Sequence, residues 1–425
     1  MSSTNTTDEV YSESEIYYRQ LLRQKRGVPL HHPGPQQNLP EKYQRHGVAI
    51  GDVGRISPDG IFDFFFNIYL PADHPINEND VPEDFAPLQH YIRKDIFHLD
   101  FEAGTYVSSP SAQMLNLEAP SDEFPGGEFM FICDAPHGAL LALPHGAHLE
   151  KLENLENMRQ YVAKNAESWY RYINDVRGRG LVNGVLYLVT GWEKSPSWGM
   201  ASFHSVREEF QLMFKPTMGA DSAYNYRWKG IPGRKNPAHM KSFKHSETDT
   251  PLNQTTFVHG FSISLGGGIW ARLFGDVGIC QNVDFPFDSS GDPAFRSHSV
   301  GSSLFSWSLN FFSGGGATGS QQRAAREGDV FISDSSLTSK SFHPSGLINH
   351  FLLHKAPHAT VVMSHDDDWR DILYDDGTDS IVEHPRELLQ QINDQFDVVD
   401  KNGAIFFVSK SRIDEPDNTP YGCGS

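Results

Sequence analysis

Apolar residues between Pro144 and Phe214 recur with two different periods, and these are the most regular patterns in the chain. A spacing of three to four residues predicts one long amphipathic α-helix, because residues at that spacing share a helix face. The predicted face comprises Leu149, Leu152, Leu155, Met158, Val162, Ala166, Trp169 and Ile173. Gly178 and Gly180 can adopt the left-handed backbone that ends a helix. The helix is therefore expected to end before Gly178.

The residues after this helix have the patterns of β-strands. Val185–Val189 is apolar on both faces, which is typical of a central strand covered on each side. Turn residues follow at Glu193–Ser197, before the strand-like runs Trp198–Phe203 and Phe210–Phe214. The pattern predicts a helix followed by a three-stranded meander.

Elsewhere the chain is rich in predicted strands, and it alternates between strands and helices only near its C-terminus. Phe62–Leu70 and Phe257–Leu265 each place apolar side chains on one strand face. We therefore predict an α+β fold, with a mostly antiparallel β-rich body containing the long amphipathic helix, and a small α/β C-terminal unit. The predicted divisions are a flexible N-terminal arm (1–40), the β-rich α+β body (41–280), a Gly/Ser-rich insertion or linker (281–325), an α/β tail unit (326–412) and a flexible C-terminus (413–425).

Composition narrows the classes of partner and compartment. The 425 residues include 35 basic and 54 acidic side chains, and the net charge of −19 argues against a chain-wide surface for nucleic acid. Three cysteines lie far apart, without the spacing of a zinc motif or a disulfide framework. No apolar run reaches the roughly 18 residues of a membrane helix. We expect a cytoplasmic protein with no constitutive membrane span and no nucleic-acid partner.

The run His365–Asp371 carries the densest candidate chemistry, and it follows a short apolar strand. Carboxylates and histidines at the end of a strand often form metal or catalytic sites in α/β folds. Aspartates at the start of a helix also cap its free N–H groups and complement its dipole. Both interpretations fit the sequence.

Histidine spacing suggests a metal site in the same region. His350 and His354 are one helical turn apart, and they could bind a divalent metal such as zinc together with His365 or Asp366. A second candidate cluster near a strand-to-helix junction consists of His137, His145, His148 and Glu150. His259, on an apolar strand face, is predicted to be a hydrogen-bonded core histidine. No organic cofactor is expected, since the glycine-rich run at 314–320 lacks the lysine of a phosphate-binding loop.

Several segments together resemble a family known from the genomes of mushroom-forming (basidiomycete) fungi, whose function is unknown. The segments that carry this resemblance are Tyr17–Arg23, His46–Gly54, Pro144–Asn154, Leu186–Glu193 and Val361–Trp369. It implies a fungal intracellular setting and no particular chemistry. Leu186–Gly191 and the following hairpin are also similar to fungal gasdermin-like membrane-permeabilising proteins.

Without a recognisable catalytic motif, the sequence favours a non-enzymatic intracellular interaction or effector module with a protein partner. The aromatic run Leu304–Phe312 within glycine-rich flanks would allow membrane activity after a trigger. The alternative is a metal-dependent hydrolase or related enzyme that uses His350, His354, His365 and Asp366. Whether the protein is an enzyme stays open at this point, as do its substrate and oligomeric state.

Overall fold

A computed structural model describes residues 12–118, 126–218, 224–229, 237–243, 252–275, 343–373 and 385–410. Within these residues the helices are α1 (Glu13–Leu22), α2 (Glu41–His46), α3 (Glu156–Arg171), α4 (Gly267–Phe274), α5 (Pro344–Lys355), α6 (Asp367–Arg370) and α7 (Pro385–Gln395). The first nine strands are β1 (Val28–Pro29), β2 (Asp52–Ile56), β3 (Phe62–Asn67), β4 (Ile96–Phe101), β5 (Thr105–Ser108), β6 (Ala112–Glu118), β7 (Glu128–Cys133), β8 (Gly138–Leu143) and β9 (Ala147–Leu152). The other nine are β10 (Leu186–Lys194), β11 (Trp198–Phe203), β12 (Phe210–Met218), β13 (Tyr224–Lys229), β14 (His239–Phe243), β15 (Thr255–Leu265), β16 (Val361–His365), β17 (Phe396–Lys401) and β18 (Ala404–Ser409).

The largest sheet has ten strands and is built around the antiparallel pair β10 and β15. Every residue of β10 and of β15 is buried, as expected for strands covered on both faces. Strands β2 and β3 continue the sheet beyond β10, and β16, β18 and β17 continue it beyond β15. The β16–β18 pair is parallel, so the sheet is mixed. The predicted α+β fold with a β-rich body is therefore confirmed.

One face of the large sheet packs against α3, which supplies the main hydrophobic core. Met158, Val162 and Trp169 are at most 1% exposed and pack with sheet residues such as Leu188 and Phe261. These are helix positions of the predicted apolar face, so that part of the prediction is confirmed. Burial of the face, rather than helix propensity, stabilises α3.

The predicted start of this helix is wrong. Leu149 and Leu152 lie on strand β9, which pairs with β4 on one side and with β10 on the other, and α3 begins at Glu156. Glycine at position 191 lets β10 approach β9 closely, because a Cβ atom at that position would lie 2.8 Å from the Glu150 carbonyl oxygen. Pairing with two neighbouring strands thus decides the conformation of a segment whose apolar residues also fit a helical period.

The predicted three-stranded meander is also wrong, although its strands are present. β10 lies in the ten-stranded sheet, β11 in the four-stranded sheet β14-β11-β8-β5, and β12 in the four-stranded sheet β13-β12-β7-β6. Glu193 and Lys194, predicted in the turn, belong to β10 and are buried. All residues of β11 are buried, so its apolar sequence indicates that both faces of the strand are packed against other residues. The same sequence does not specify which strand lies beside β11.

The two smaller sheets pack face to face as a sandwich. Phe129, Phe131 and Phe214 of one sheet form a shared core with Leu140 and Phe203 of the other. The opposite face of β8 is covered by α1, since Tyr17 and Leu21 pack with Ala139, Leu141 and Leu143. Residues 13–22 of the predicted N-terminal arm are therefore a packed helix in the structure.

The C-terminal strands belong to the same sheet as the body. β16 pairs with β15, with Phe261 opposite His365 at one end and Leu265 opposite Val361 at the other. The segment predicted as a small α/β unit therefore extends the main sheet. Residues 281–325 and 413–425 lie outside the described residues, and the predicted domain boundaries stay predictions. No helix of the described part is both long and apolar enough to cross a membrane.

Candidate functional site

A cleft of about 840 Å³ opens between the β4–β9 ribbon and the C-terminal strands. Its apolar lining consists of Phe97, Leu99, Phe101, Leu149, Leu152, Leu155, Phe396, Phe407 and Val408. Its polar lining consists of Lys25, Arg26, Lys151, Glu153, Arg159, Glu193, His259, His365, Asp367, Asp368, Arg370 and Ser409. The cleft thus combines apolar walls with convergent polar groups, the two kinds of surface from which ligand sites are built.

Apart from Leu152 at the end of β9, the ribbon residues in the cleft lining belong to one of the two faces of the ribbon. Successive side chains of a strand point to opposite faces, so Phe97, Leu99 and Phe101 of β4 share one face. The antiparallel register places Leu149 opposite Leu99 and Lys151 opposite Phe97, on that same face. The strand register therefore brings an ammonium group next to an apolar wall.

An ion network centred on Asp367 forms part of the cleft lining. Lys151 Nζ lies 2.6 Å from Asp367 Oδ2, and Arg370 Nη1 lies 3.0 Å from Asp367 Oδ1. Burial by itself raises the pKa of Asp367. Contact with the His365 ring and the charges of Lys151 and Arg370 outweigh burial and hold that pKa well below its usual range. One carboxylate is thus shared by two cations.

His365 is the last residue of β16 and is held in one tautomer by two hydrogen bonds. Its Nδ1 accepts from the Asp367 backbone N–H at 3.1 Å, so Nε2 carries the proton and donates to Thr190 Oγ1 at 2.8 Å. Burial lowers the pKa of His365, which keeps the imidazole neutral. Thr190 is fully buried and does not line the cleft, so this arrangement does not form an accessible nucleophile.

Asp368 brings an ionisable group that titrates near neutrality. One of its carboxylate oxygens accepts the His365 backbone N–H at 2.7 Å. Burial raises the pKa of Asp368 to about 7, against the opposing charge of Arg159. The cleft therefore becomes more positive as the pH falls through 7.

A buried ion pair lies at another part of the lining. Arg26 Nη2 lies 2.7 Å from Glu193 Oε2, and the Glu193 side chain is 1% exposed. The guanidinium also lies 3.8 Å from the ring centroid of Phe101, in a cation–π contact. Because Glu193 is matched by Arg26, this pair adds little net charge to the cleft.

His259 is a polar group in the lining with unsatisfied hydrogen-bonding capacity. It is 2% exposed, and neither ring nitrogen has a hydrogen-bond partner among the described residues. Burial lowers its pKa to about 3, so the ring is neutral. The predicted burial of this histidine is confirmed, but the predicted hydrogen bond within the core is not found. An orphaned buried polar group costs about 1 to 3 kcal/mol, which a bound polar ligand would recover.

The charges of the lining have the opposite sign to the chain as a whole. Five cationic side chains face four carboxylates, of which one, Asp368, is partly protonated near pH 7. The chain carries a net charge of −19. The cleft is therefore a locally positive, partly apolar site on an acidic protein.

The structure distributes the four predicted metal ligands over different surroundings. His365 lines the cleft, and Asp366 is fully buried behind it, where it accepts hydrogen bonds from the Tyr187 hydroxyl and from the Gly260 backbone N–H. His350 and His354 lie on α5, half-buried and exposed respectively. A metal bound by His350, His354, His365 and Asp366 stays a prediction.

The capping interpretation of the aspartates is only partly matched by the structure. Asp366 occupies the N-cap position of α6, yet its side chain makes no capping hydrogen bond. Its carboxylate instead joins the end of β16 to β15 and β10, through Gly260 and Tyr187. The aspartate run therefore belongs to the packing of the sheet and the cleft as much as to the helix.

Sequence reasoning missed Lys151, Arg26 and Glu193 as site residues. The sequence pattern predicts Lys151 on a helix and Glu193 in a turn, so it does not indicate that either residue lies beside His365. A signal was present, since Glu193 and Lys194 follow the doubly apolar run Val185–Val189 after only three residues, and charged residues in a buried strand must be paired. No family model and no curated protein matches the chain.

Proposed function

We propose that the cleft binds a small organic anion with an apolar body, such as a medium-chain carboxylate or an aromatic sulfonate, and that the protein acts as a non-enzymatic ligand-binding module. The excess of cationic over acidic side chains in a cleft of an acidic protein carries this proposal. The proposal agrees with the non-enzymatic interpretation of the sequence. It differs in the partner, which is a small ligand instead of a protein. Cytoplasmic location, fungal origin and the absence of a nucleic-acid partner stay predictions.

The two parts of the ligand would be recognised by different walls. The acidic head would approach Lys151 and Arg370, whose charged side chains both contact the Asp367 carboxylate at the cleft wall. The neutral His259 supplies a further polar contact. The apolar body would lie against the phenylalanine and leucine side chains of β4 and β9.

The test is a fluorescence titration of the purified full-length protein with 8-anilinonaphthalene-1-sulfonate, an aromatic anion whose emission rises in apolar surroundings. A hydrogen bond to a charged group contributes about 1.5 to 3 kcal/mol, so Lys151→Met should weaken binding by about 10-fold or more. Lys164→Met removes a lysine from an exposed site on α3 and should leave the affinity unchanged.

Two outcomes would overturn the proposal. One is an absence of saturable binding by the folded wild-type protein. The other is equal loss of affinity in Lys151→Met and Lys164→Met, because non-specific attraction by surface lysines would then explain the binding. Circular dichroism of both variants shows that the comparison is made between folded proteins.

A further inference from the structure

The face of the β4–β9 ribbon that points away from the cleft carries a separate cluster of ligand-type side chains. His98 lies directly opposite Glu150 in the antiparallel register, and Asp100 lies directly opposite His148. Residues two apart on a strand share a face, so all four side chains lie on one side of the ribbon. We infer that His98, His148 and Glu150 form a binding site for one divalent transition-metal ion, with zinc as the best match.

The distances within the cluster match the coordination shell of zinc. His98 Nδ1 and His148 Nε2 each lie 3.6 Å from Glu150 Oε1. The donor atoms of these three side chains lie within 4.8 Å of one another. Among the described residues, no other set of three or more histidine, cysteine, aspartate or glutamate side chains brings its donor atoms this close together. Ligands at about 2.05 Å from a tetrahedral zinc ion are about 3.4 Å apart, so small side-chain rotations suffice to close the site.

Asp100 orients one of the ligands. His148 Nδ1 lies 2.5 Å from Asp100 Oδ1, a hydrogen bond that places the proton on Nδ1 and leaves the lone pair of Nε2 directed at the site. A carboxylate that holds the far nitrogen of a ligating histidine is a common partner in zinc sites, where it fixes the ring and increases its basicity. Asp100 is therefore a positioning residue for His148.

The chemistry and exposure of the cluster favour a transition metal over calcium or magnesium. Two imidazoles and one carboxylate suit zinc, whereas calcium and magnesium prefer sites composed of oxygen ligands. The His98 side chain is 49% exposed and those of His148 and Glu150 are 27% exposed, so an ion can reach the site from solvent. Three protein ligands leave a fourth position open to water or to another ligand.

Metal binding can be measured with cobalt(II) and zinc on the full-length protein. Trp192 lies beside the site, with its ring centroid 5.8 Å from that of His148, so bound cobalt(II) should quench part of the tryptophan emission. We expect one equivalent of metal per chain and a visible cobalt absorption spectrum. His98→Ala, His148→Ala and Glu150→Gln should each weaken binding by about 100-fold, since each removes one of three ligands.

The role of Asp100 in orienting His148 can be tested separately, through the metal affinity and the cobalt absorption spectrum of Asp100 variants. Asp100→Asn should weaken metal binding by about 10- to 100-fold and shift the cobalt absorption bands, and Asp100→Glu should recover part of the affinity. A purely structural role for Asp100 would change stability without altering the spectrum of the bound ion.

The control separates this site from the one suggested by histidine spacing. A His350→Ala, His354→Ala double variant should bind metal as tightly as the wild-type protein. The inference is overturned if the wild-type protein binds no stoichiometric metal, if His98→Ala and His148→Ala both keep full affinity, or if the double variant loses binding. All variants change side chains that are at least partly exposed, so circular dichroism should show native folding throughout.

Discussion

Replacing Asp366 by asparagine should change how the stability of the protein depends on pH. Asp366 is fully buried. One oxygen accepts the Gly260 N–H at 2.9 Å and the Tyr187 hydroxyl, and the other lies 3.7 Å from His343 Nε2. Burial raises the pKa of Asp366 to about 8, although the hydrogen bonds from Tyr187 and Gly260 oppose the increase.

The sign of the effect follows from proton linkage. The pKa of Asp366 rises from 3.8 to about 8 on folding, so the folded state keeps this proton over a pH range in which the unfolded state has lost it. The stabilisation from this group is complete below pH 4 and disappears as the pH rises towards 8. At about 1.36 kcal/mol per pKa unit, the shift corresponds to about 6 kcal/mol over the whole range and about 4 kcal/mol between pH 5 and pH 8.

Asp366→Asn cannot ionise, so the variant should gain stability relative to the wild-type protein as the pH rises. The assay is urea unfolding at pH 5, 6, 7 and 8, followed by tryptophan fluorescence, with Asp371→Asn as the control because the Asp371 side chain is 68% exposed. A difference between Asp366→Asn and wild type that is constant from pH 5 to pH 8 would refute the raised pKa. Equal pH dependence of the difference in both variants would refute the assignment to Asp366.

Two further changes test the packing around the cleft. Leu155→Ala should lower the free energy of unfolding by about 2 to 4 kcal/mol, because Leu155 is 8% exposed within the main core, whereas Val176→Ala, at a residue 74% exposed, should change it little. Equal effects in the two variants would show that Leu155 is not packed as described. Arg26→Met should cost about 3 to 5 kcal/mol by leaving the Glu193 carboxylate buried without its cation, and adding Glu193→Gln should recover part of that loss. Both are measured by urea unfolding, and a double variant no more stable than Arg26→Met would argue against the buried pair.

The existence of most strands could be predicted from the sequence, whereas their partners could not. The pattern of Trp198–Phe203 predicts a strand that the structure reproduces with the same bounds. Alternation of apolar and polar residues reports which faces are buried, and it does not distinguish one neighbouring strand from another. This is why β10, β11 and β12 were predicted as one meander but lie in three sheets.

The start of α3 shows a second physical limit. Leu149 and Leu152 are three residues apart, so they fit a helical face, while His148 and Glu150 alternate with Leu149 and Lys151 as in a strand. Pairing with β4 and β10 decides between the two conformations. β9 pairs with one strand about 50 positions earlier in the chain and with another about 40 positions later. The local sequence pattern therefore carries no information about this pairing.

The candidate site could be predicted in part for the same reason. The run His365–Asp368 is visible in the sequence, since it follows an apolar strand. Lys151 and Arg26 reach the cleft from distant segments, and only the sheet topology brings them next to that run. The four-residue spacing of His350 and His354 indicated a metal site, while the cluster with short ligand distances in the described residues comes from cross-strand neighbours on β4 and β9.

The central claim, that the cleft selects an anionic head on an apolar body, is tested most directly by competition. Decanoate, decan-1-ol and decylammonium share one apolar chain and differ in charge, and each can be measured for its ability to displace bound 8-anilinonaphthalene-1-sulfonate from the full-length protein. We predict that decanoate displaces the probe at a concentration about 10-fold or more below that of decan-1-ol, and that decylammonium is the weakest competitor. Equal potency of the three compounds, or the strongest displacement by decylammonium, would contradict the claim.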